Sequence, residues 1–201
     1  MKRLRLALLA GGGIMAGFLG LEGLVAGQAT LPQPRPGEAR IWYLGHCGFA
    51  VRTARHLLVF DYQERRDGPQ ARTRPERPGL DRGWMDPLEI KNDRVRVFVS
   101  HSHEDHFDPV IFSWKPAVRD IEYFFGWRAA DDAAYHYLVE PRATHSADGL
   151  DVATIYSHHS GVPEVAFLVT VDGLVIYHNG DYQMDYKADF PYLQQRAKTV
   201  D

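Results

Sequence analysis

Three imidazoles and two carboxylates fall within six residues in Ser100-His101-Ser102-His103-Glu104-Asp105-His106, directly after a run that reads as a β-strand. Such groups are costly to bury unless something neutralises or ligates them. Imidazole nitrogen and carboxylate oxygen form a ligand set suited to zinc and related divalent ions. If the strand continues to His103, the two-residue period places His101 and His103 on one side. A turn at Glu104 then returns Asp105 and His106 to the same space. A histidine pair alone is more often incidental surface chemistry. The whole His-x-His-x-Asp-His set is far more specific and predicts metal binding.

The strand before it is Arg94–Ser100, where Val95, Val97 and Val99 alternate with Arg94, Arg96 and Phe98. Earlier, Arg40–Leu44, Phe49–Arg52 and Leu57–Asp61 read as strands, with His46 and Cys47 at the tip of a turn bracketed by Gly45 and Gly48. Later, Ile121–Phe125, Tyr135–Val139, Leu150–Tyr156, Val165–Val171 and Leu174–Tyr177 read the same way, the last two flanking the hairpin signal Asp172-Gly173. Short helices are expected at Pro109–Trp114 and Ala129–Ala134. Residues 62–92, with four prolines and a run of arginines, are expected to be a long loop, either a lid or a solvated insertion. The pattern is that of a β-rich α/β domain.

At 201 residues, 45% hydrophobic and 24% charged, the chain has room for one packed domain with appendages and is too apolar to be disordered. A single cysteine, Cys47, excludes an intramolecular disulfide framework and a cysteine-only metal site. It reads as a small buried side chain rather than a nucleophile. A net charge of −3 disfavours a nucleic-acid partner, although the arginines between Arg65 and Arg82 could attract phosphate locally.

Residues 1–29 read as a signal peptide. Lys2, Arg3 and Arg5 precede an apolar stretch from Leu6 to about Leu21, and small residues follow at Ala26, Gly27 and Ala29. Five glycines in that stretch and Glu22 after it argue against a stable membrane span, so no span is expected after cleavage; the alternative is an uncleaved N-terminal anchor. The expected location is periplasmic or secreted. Residues 30–38 read as a proline-rich linker, and residues 39–201 as the folded domain.

His101-x-His103-x-Asp105-His106 after a strand resembles the motif of the metallo-β-lactamase superfamily. Ser157-His158-His159-Ser160-Gly161 and Tyr177-His178-Asn179-Gly180-Asp181-Tyr182 follow in the order that family shows. Tyr43-Leu44-Gly45-His46-Cys47-Gly48-Phe49 and Val59-Phe60-Asp61 resemble its branch with L-ascorbate-6-phosphate lactonase and N-acyl phosphatidylethanolamine phospholipase D.

The resemblance implies an α/β fold, a metallo-β-lactamase-like αββα sandwich. It also implies two divalent ions, zinc or alternatively manganese. His101, His103 and one of the pair His158/His159 would hold the first ion. Asp105 and His106 would hold the second, with Asp181 bridging both. His158 is preferred because the branch tends to show His-aromatic-Ser-Gly, which leaves His159 in the aromatic slot. The family's last histidine ligand, beyond the bridging Asp, has no counterpart after His178, so the C-terminal half of the sandwich is expected to be incomplete and the sequence a fragment.

His46 is expected either to face the site or to lie on the surface. His56, His136 and His145 are expected to be exposed or structural; His178 is expected to pack or, alternatively, to support the site from behind, and Tyr182 to pack or, alternatively, to approach substrate. The expected activity is hydrolysis of an ester, lactone, amide or phosphodiester bond in a small-molecule substrate, with Asp105 as the catalytic carboxylate that orients the nucleophile or takes up a proton. The competing reading is a metal-binding protein without catalysis, left by an incomplete second site. A ribonuclease is a third reading, disfavoured by the acidic charge.

Overall fold

Two sets of strands build two sheets that share one apolar interior. The computed structural model describes residues 32–64, 67, 71–128, 132–183 and 186–201, apart from the side chains of Ser157, His158 and Tyr186. The expected signal peptide, residues 1–29, lies outside them.

The first sheet contains β1 (Arg40–Gly45), β2 (Gly48–Arg52), β3 (His56–Phe60), β4 (Arg94–Val99), β5 (Asp120–Phe125) and β6 (Tyr135–Tyr137), side by side in that order. β1, β2 and β3 pair antiparallel, whereas β3 to β6 run parallel. The second sheet is an antiparallel meander of β7 (Thr144–Ala147), β8 (Leu150–His159), β9 (Val162–Val171) and β10 (Leu174–His178). Asp172 and Gly173 both have positive φ in the β9–β10 turn, the conformation that a two-residue hairpin of this composition adopts.

Phe60, Phe98 and Phe124 of the first sheet stack at 4.9 and 4.8 Å between centroids, and Phe167 of the second meets Phe98 edge-on at 5.3 Å. With Leu58, Val152, Val165 and Val169 they form the core between the sheets. Val95, Val97 and Val99 point the other way, with Val59, Tyr123 and Phe125. That outer face is covered too, which explains why β4 is apolar on both sides.

Its cover is the 3-10 helix Pro109–Trp114 together with part of the proline- and arginine-rich segment, in which Leu80, Met85 and Ile90 are buried. The described part of the segment is therefore packed rather than a free loop. Arg72 ties it down by donating to the carbonyls of Leu44 and Gly83 while lying 4.3 Å from the Trp84 ring. The proline-rich stretch before β1 is also anchored, Gly37 N–H donating to the Asp172 carbonyl at 2.9 Å.

α1 (Tyr186–Arg196) lies over the outer face of the second sheet, where Tyr192 and Leu193 pack on buried Ile155, Ala166 and Tyr182. The result is a partial αββα sandwich. Neither α1 nor β7 was expected: Pro191 inside α1 is a breaker signal, and Thr144-His145-Ser146-Ala147 lacks the β-branched and aromatic composition of a strand. The helix expected over Ala129–Ala134 lies partly outside the described residues, and Asp132–Ala134 form no helix but a turn into β6. Among the described residues, no helix is long and apolar enough to cross a membrane.

Candidate metal centre

The carboxyl end of β4 delivers the histidine motif to the end of the sandwich. His101 still belongs to the sheet geometry, bridging to Glu164 of β9. The chain then turns tightly, the amides of His106 and Phe107 donating to the His103 carbonyl at 3.0 and 2.8 Å. That turn returns His106 to within 4.1 Å of His101, ring centroid to centroid.

Two groups of donor atoms result. His101 Nε2 and His103 Nδ1 are 3.1 Å apart, and the His159 ring lies 5.4 Å from each of theirs. His46, Cys47, His106 and Asp181 form the second group, each with a ligand atom within 4.8 Å of the others. His46 Nε2 is 3.2 Å from His106 Nε2 and 3.5 Å from Asp105 Oδ2. Asp181 stands between the groups, with Oδ1 3.4 Å from His106 Nε2 and Oδ2 3.3 Å from His159 Nε2.

These separations match what a metal shell requires. With metal–nitrogen bonds of about 2.0–2.1 Å, neighbouring ligands of a tetrahedral ion are about 3.3 Å apart. The outer nitrogens support the same reading. His101 Nδ1 faces Glu164 Oε1 at 3.3 Å and Ser100 Oγ at 3.0 Å, and His106 Nδ1 faces Asp61 Oδ2 at 2.8 Å. A carboxylate on the far nitrogen fixes ring and tautomer and presents Nε2 as a ligand, the usual arrangement of metal-binding histidines. The residues present fit a pair of divalent ions.

The supporting carboxylates are fully buried. Asp61 accepts from Ser100 N–H at 2.7 Å and Ser100 Oγ–H at 2.8 Å, and faces His178 Nε2 at 2.8 Å. Burial alone would push its carboxyl up; His178 and His106 outweigh that and hold it well below the usual range. The reciprocal effect raises His106 against its own burial. His103 is pushed down by burial and by the neighbouring His101 and His159, which favours the neutral, ligating form. Glu164 accepts from the Asp181 amide at 2.6 Å, so one carboxylate positions both His101 and Asp181. Gly180 makes that approach possible: its φ is +55°, and a Cβ there would stand 2.7 Å from Ser100 Oγ.

Of the expected site residues, His101, His103, Asp105, His106 and Asp181 converge here. The side chain of His158 lies outside the described residues. His159, which the resemblance placed in the aromatic slot, sits instead with the first histidine group. His46 faces the site, and left-handed backbone at φ +44° holds it on its turn. Burial, and then the carboxylates of Asp61, Asp181, Asp105 and Glu164, push the Cys47 thiol up to about 11. His178 supports Asp61, and Tyr182 is buried with its hydroxyl donating to Asp189. Glu164 was missed. Its only signal was one acidic residue inside the otherwise apolar run Val162–Val171.

The model of the beta-lactamase superfamily domain matches residues 40–198. A protein named as a metal-dependent hydrolase from Thermococcus kodakarensis is 24% identical over a 155-residue alignment that covers 71% of this chain and 61% of that one. The chain thus spans less than two thirds of that curated relative. A metallo hydrolase from the archaeon Ignicoccus hospitalis superposes with a TM-score of 0.51 at 18% identity, over 78% of this chain and 66% of that one. CmlA, a diiron β-hydroxylase from Streptomyces venezuelae, does so with a TM-score of 0.52 at 12% identity, over 85% of this chain and 34% of that one. The matched span includes every residue of the two donor groups, and the chain belongs to the beta-lactamase superfamily.

Proposed function

We propose that the protein is a metal-dependent hydrolase with a two-ion centre. His101, His103 and His159 would hold one ion, His46, His106 and Asp105 the other, and Asp181 would span the two. The observation that carries this reading is the split contact of Asp181, one carboxylate oxygen on each donor group. His159 replaces His158 in the proposed set because its ring is in contact distance of His101, His103 and Asp181.

Divalent ions held by those residues would supply Lewis acidity and lower the pKa of a bound water. The chain's own residues do the rest. Glu164 and Asp61 hold the rings of His101 and His106 in place, which spares reorganisation during reaction. Asp105, its side chain 28% exposed, is close enough to the donor cluster to orient a water or take up its proton. Carbonyl or phosphoryl substrates would react in this arrangement, so an ester, lactone, amide or phosphodiester of a small molecule is the substrate class.

Zinc is the metal favoured by the nitrogen-rich donor set, with manganese as the alternative. The basic, apolar and small-residue order of residues 1–29 supports export to the periplasm or beyond.

A panel of generic ester, lactone, amide and phosphodiester substrates, assayed after chelation and again after zinc or manganese is restored, tests the activity. Hydrolysis that disappears on chelation, returns with metal and is absent from His103→Ala supports it. A chain that takes up metal and hydrolyses none of them contradicts it.

A further inference from the structure

A separate cluster of ligating side chains lies where the first sheet meets the edge of the second. We propose that Glu122, His136 and His145 form a structural metal site there, at which a zinc-like divalent cation clips β7 to β5 and β6.

The three residues converge from three strands and two sheets. Glu122 and Phe124 share a face of β5, and the parallel register sets His136 of β6 beside Phe124. His145 comes from β7, opposite Val152, whose side chain belongs to the core between the sheets. One ligand atom of each lies within 4.8 Å of the other two. His136 Nε2 is 3.2 Å from Glu122 Oε2, and the two imidazoles are 4.3 Å apart between centroids. Phe124 forms an apolar floor, stacked on His136 at 4.8 Å and meeting His145 at 5.3 Å.

The observation that calls for a ligand is His145 Nε2. It is buried and makes no hydrogen bond. Nearly all buried polar atoms are satisfied, and a cation is a partner of the right chemistry for a neutral imidazole beside a second imidazole and a carboxylate. Burial and the neighbouring His136 push His145 down, which keeps it in that neutral form.

β6 and β7 are three and four residues long and terminate their sheets, so hydrogen-bond ladders give them little hold. A cation between them would supply a tie that the ladders do not. Arg96 opposes it: its Nε lies 3.7 Å from Glu122 Oε2. The same guanidinium is also committed through Nη1 to Asp120 at 2.7 Å and to the Val95 carbonyl at 3.0 Å. Competition for one carboxylate makes this the weaker site. It is distinct from the metal centre, since Glu122 pairs with Arg96, five residues before His101 along β4. At about 3.3 Å per residue that is on the order of 16 Å.

Zinc uptake by equilibrium dialysis tests the proposal on the full chain. The unsubstituted protein is expected to take up one zinc more per chain than the His136→Gln/His145→Gln variant, whatever the number held at the metal centre. Long-range proton–nitrogen spectra of the unsubstituted protein give a readout that needs no variant. The ring nitrogens of His136 and His145 should shift as zinc fills the weaker site. Equal uptake by a folded variant would overturn the proposal. If the variant does not fold, ring nitrogens that stay unmoved up to zinc saturation would overturn it alone.

Discussion

The Nε2 atoms of His46 and His106 are 3.2 Å apart, although 60 residues separate the two in sequence. Two ring nitrogens at that distance share either one proton or one cation. The first turn of the sheet thus supplies a donor to a cluster built mainly by the loop after β4.

Removing that donor should weaken one ion selectively. His46→Ala is expected to lower the affinity of the second metal equivalent by about tenfold or more, roughly 1.4 kcal/mol, and to leave the first nearly unchanged. His46→Gly should lose the same metal without loss of fold stability, because φ +44° suits glycine. Competitive chelator titration of both variants, with thermal unfolding alongside, checks this. Unchanged affinity for both equivalents would remove His46 from the site.

Asp61 tests the supporting carboxylates. Asp61→Asn keeps the shape but removes the charge that faces His106 and His178. Breaking a buried pair costs about 3 kcal/mol or more, and losing a carboxylate behind a metal-binding histidine costs about 10- to 100-fold in metal affinity. Denaturant unfolding and metal competition should both register the change.

The adjacent histidines of β8 should behave unequally. His159→Ala is expected to lower metal affinity at least about tenfold, and His158→Ala by less. Sequence favoured the opposite order. The strand could not decide between them, because both of its faces are buried: Val152 and Thr154 on one, Ala153 and Ile155 on the other. Parity therefore carries no information about which side meets a ligand.

The rest of the candidate site was legible in proportion to how local it is. His101, His103, Asp105 and His106 lie in one loop and could be read from spacing alone. Asp181 needed a family resemblance, since nothing local in Gly180-Asp181 marks it. Glu164 reaches the site only through the pairing of β9 with His101, a long-range contact that no window of sequence displays. In the fold, the alternation of β4 was plain, whereas Pro191 hid α1 and the polar Thr144–Ala147 hid β7.

Acid stability should depend on Asp172. Burial pushes its carboxyl up, but hydrogen bonds from Thr53, Arg55 and His56 outweigh that and hold it well below the usual range. A depressed folded-state pKa contributes stability above the unfolded value of about 3.9, and that contribution is lost as pH falls through the folded value. The stability gap between the unsubstituted protein and Asp172→Asn is therefore expected to be full above about pH 5 and to shrink below about pH 4. Urea unfolding across that range checks it, and a gap independent of pH would contradict it.

Two ions in the proposed centre would share Asp181, whose oxygens lie 3.4 Å from His106 Nε2 and 3.3 Å from His159 Nε2. Electron paramagnetic resonance of the protein loaded with manganese(II) tests it most directly. A carboxylate-bridged pair gives a spin-coupled spectrum, which should be present in the unsubstituted chain and absent from Asp181→Ala. A spectrum of isolated manganese ions in the fully loaded, unsubstituted chain would contradict the account.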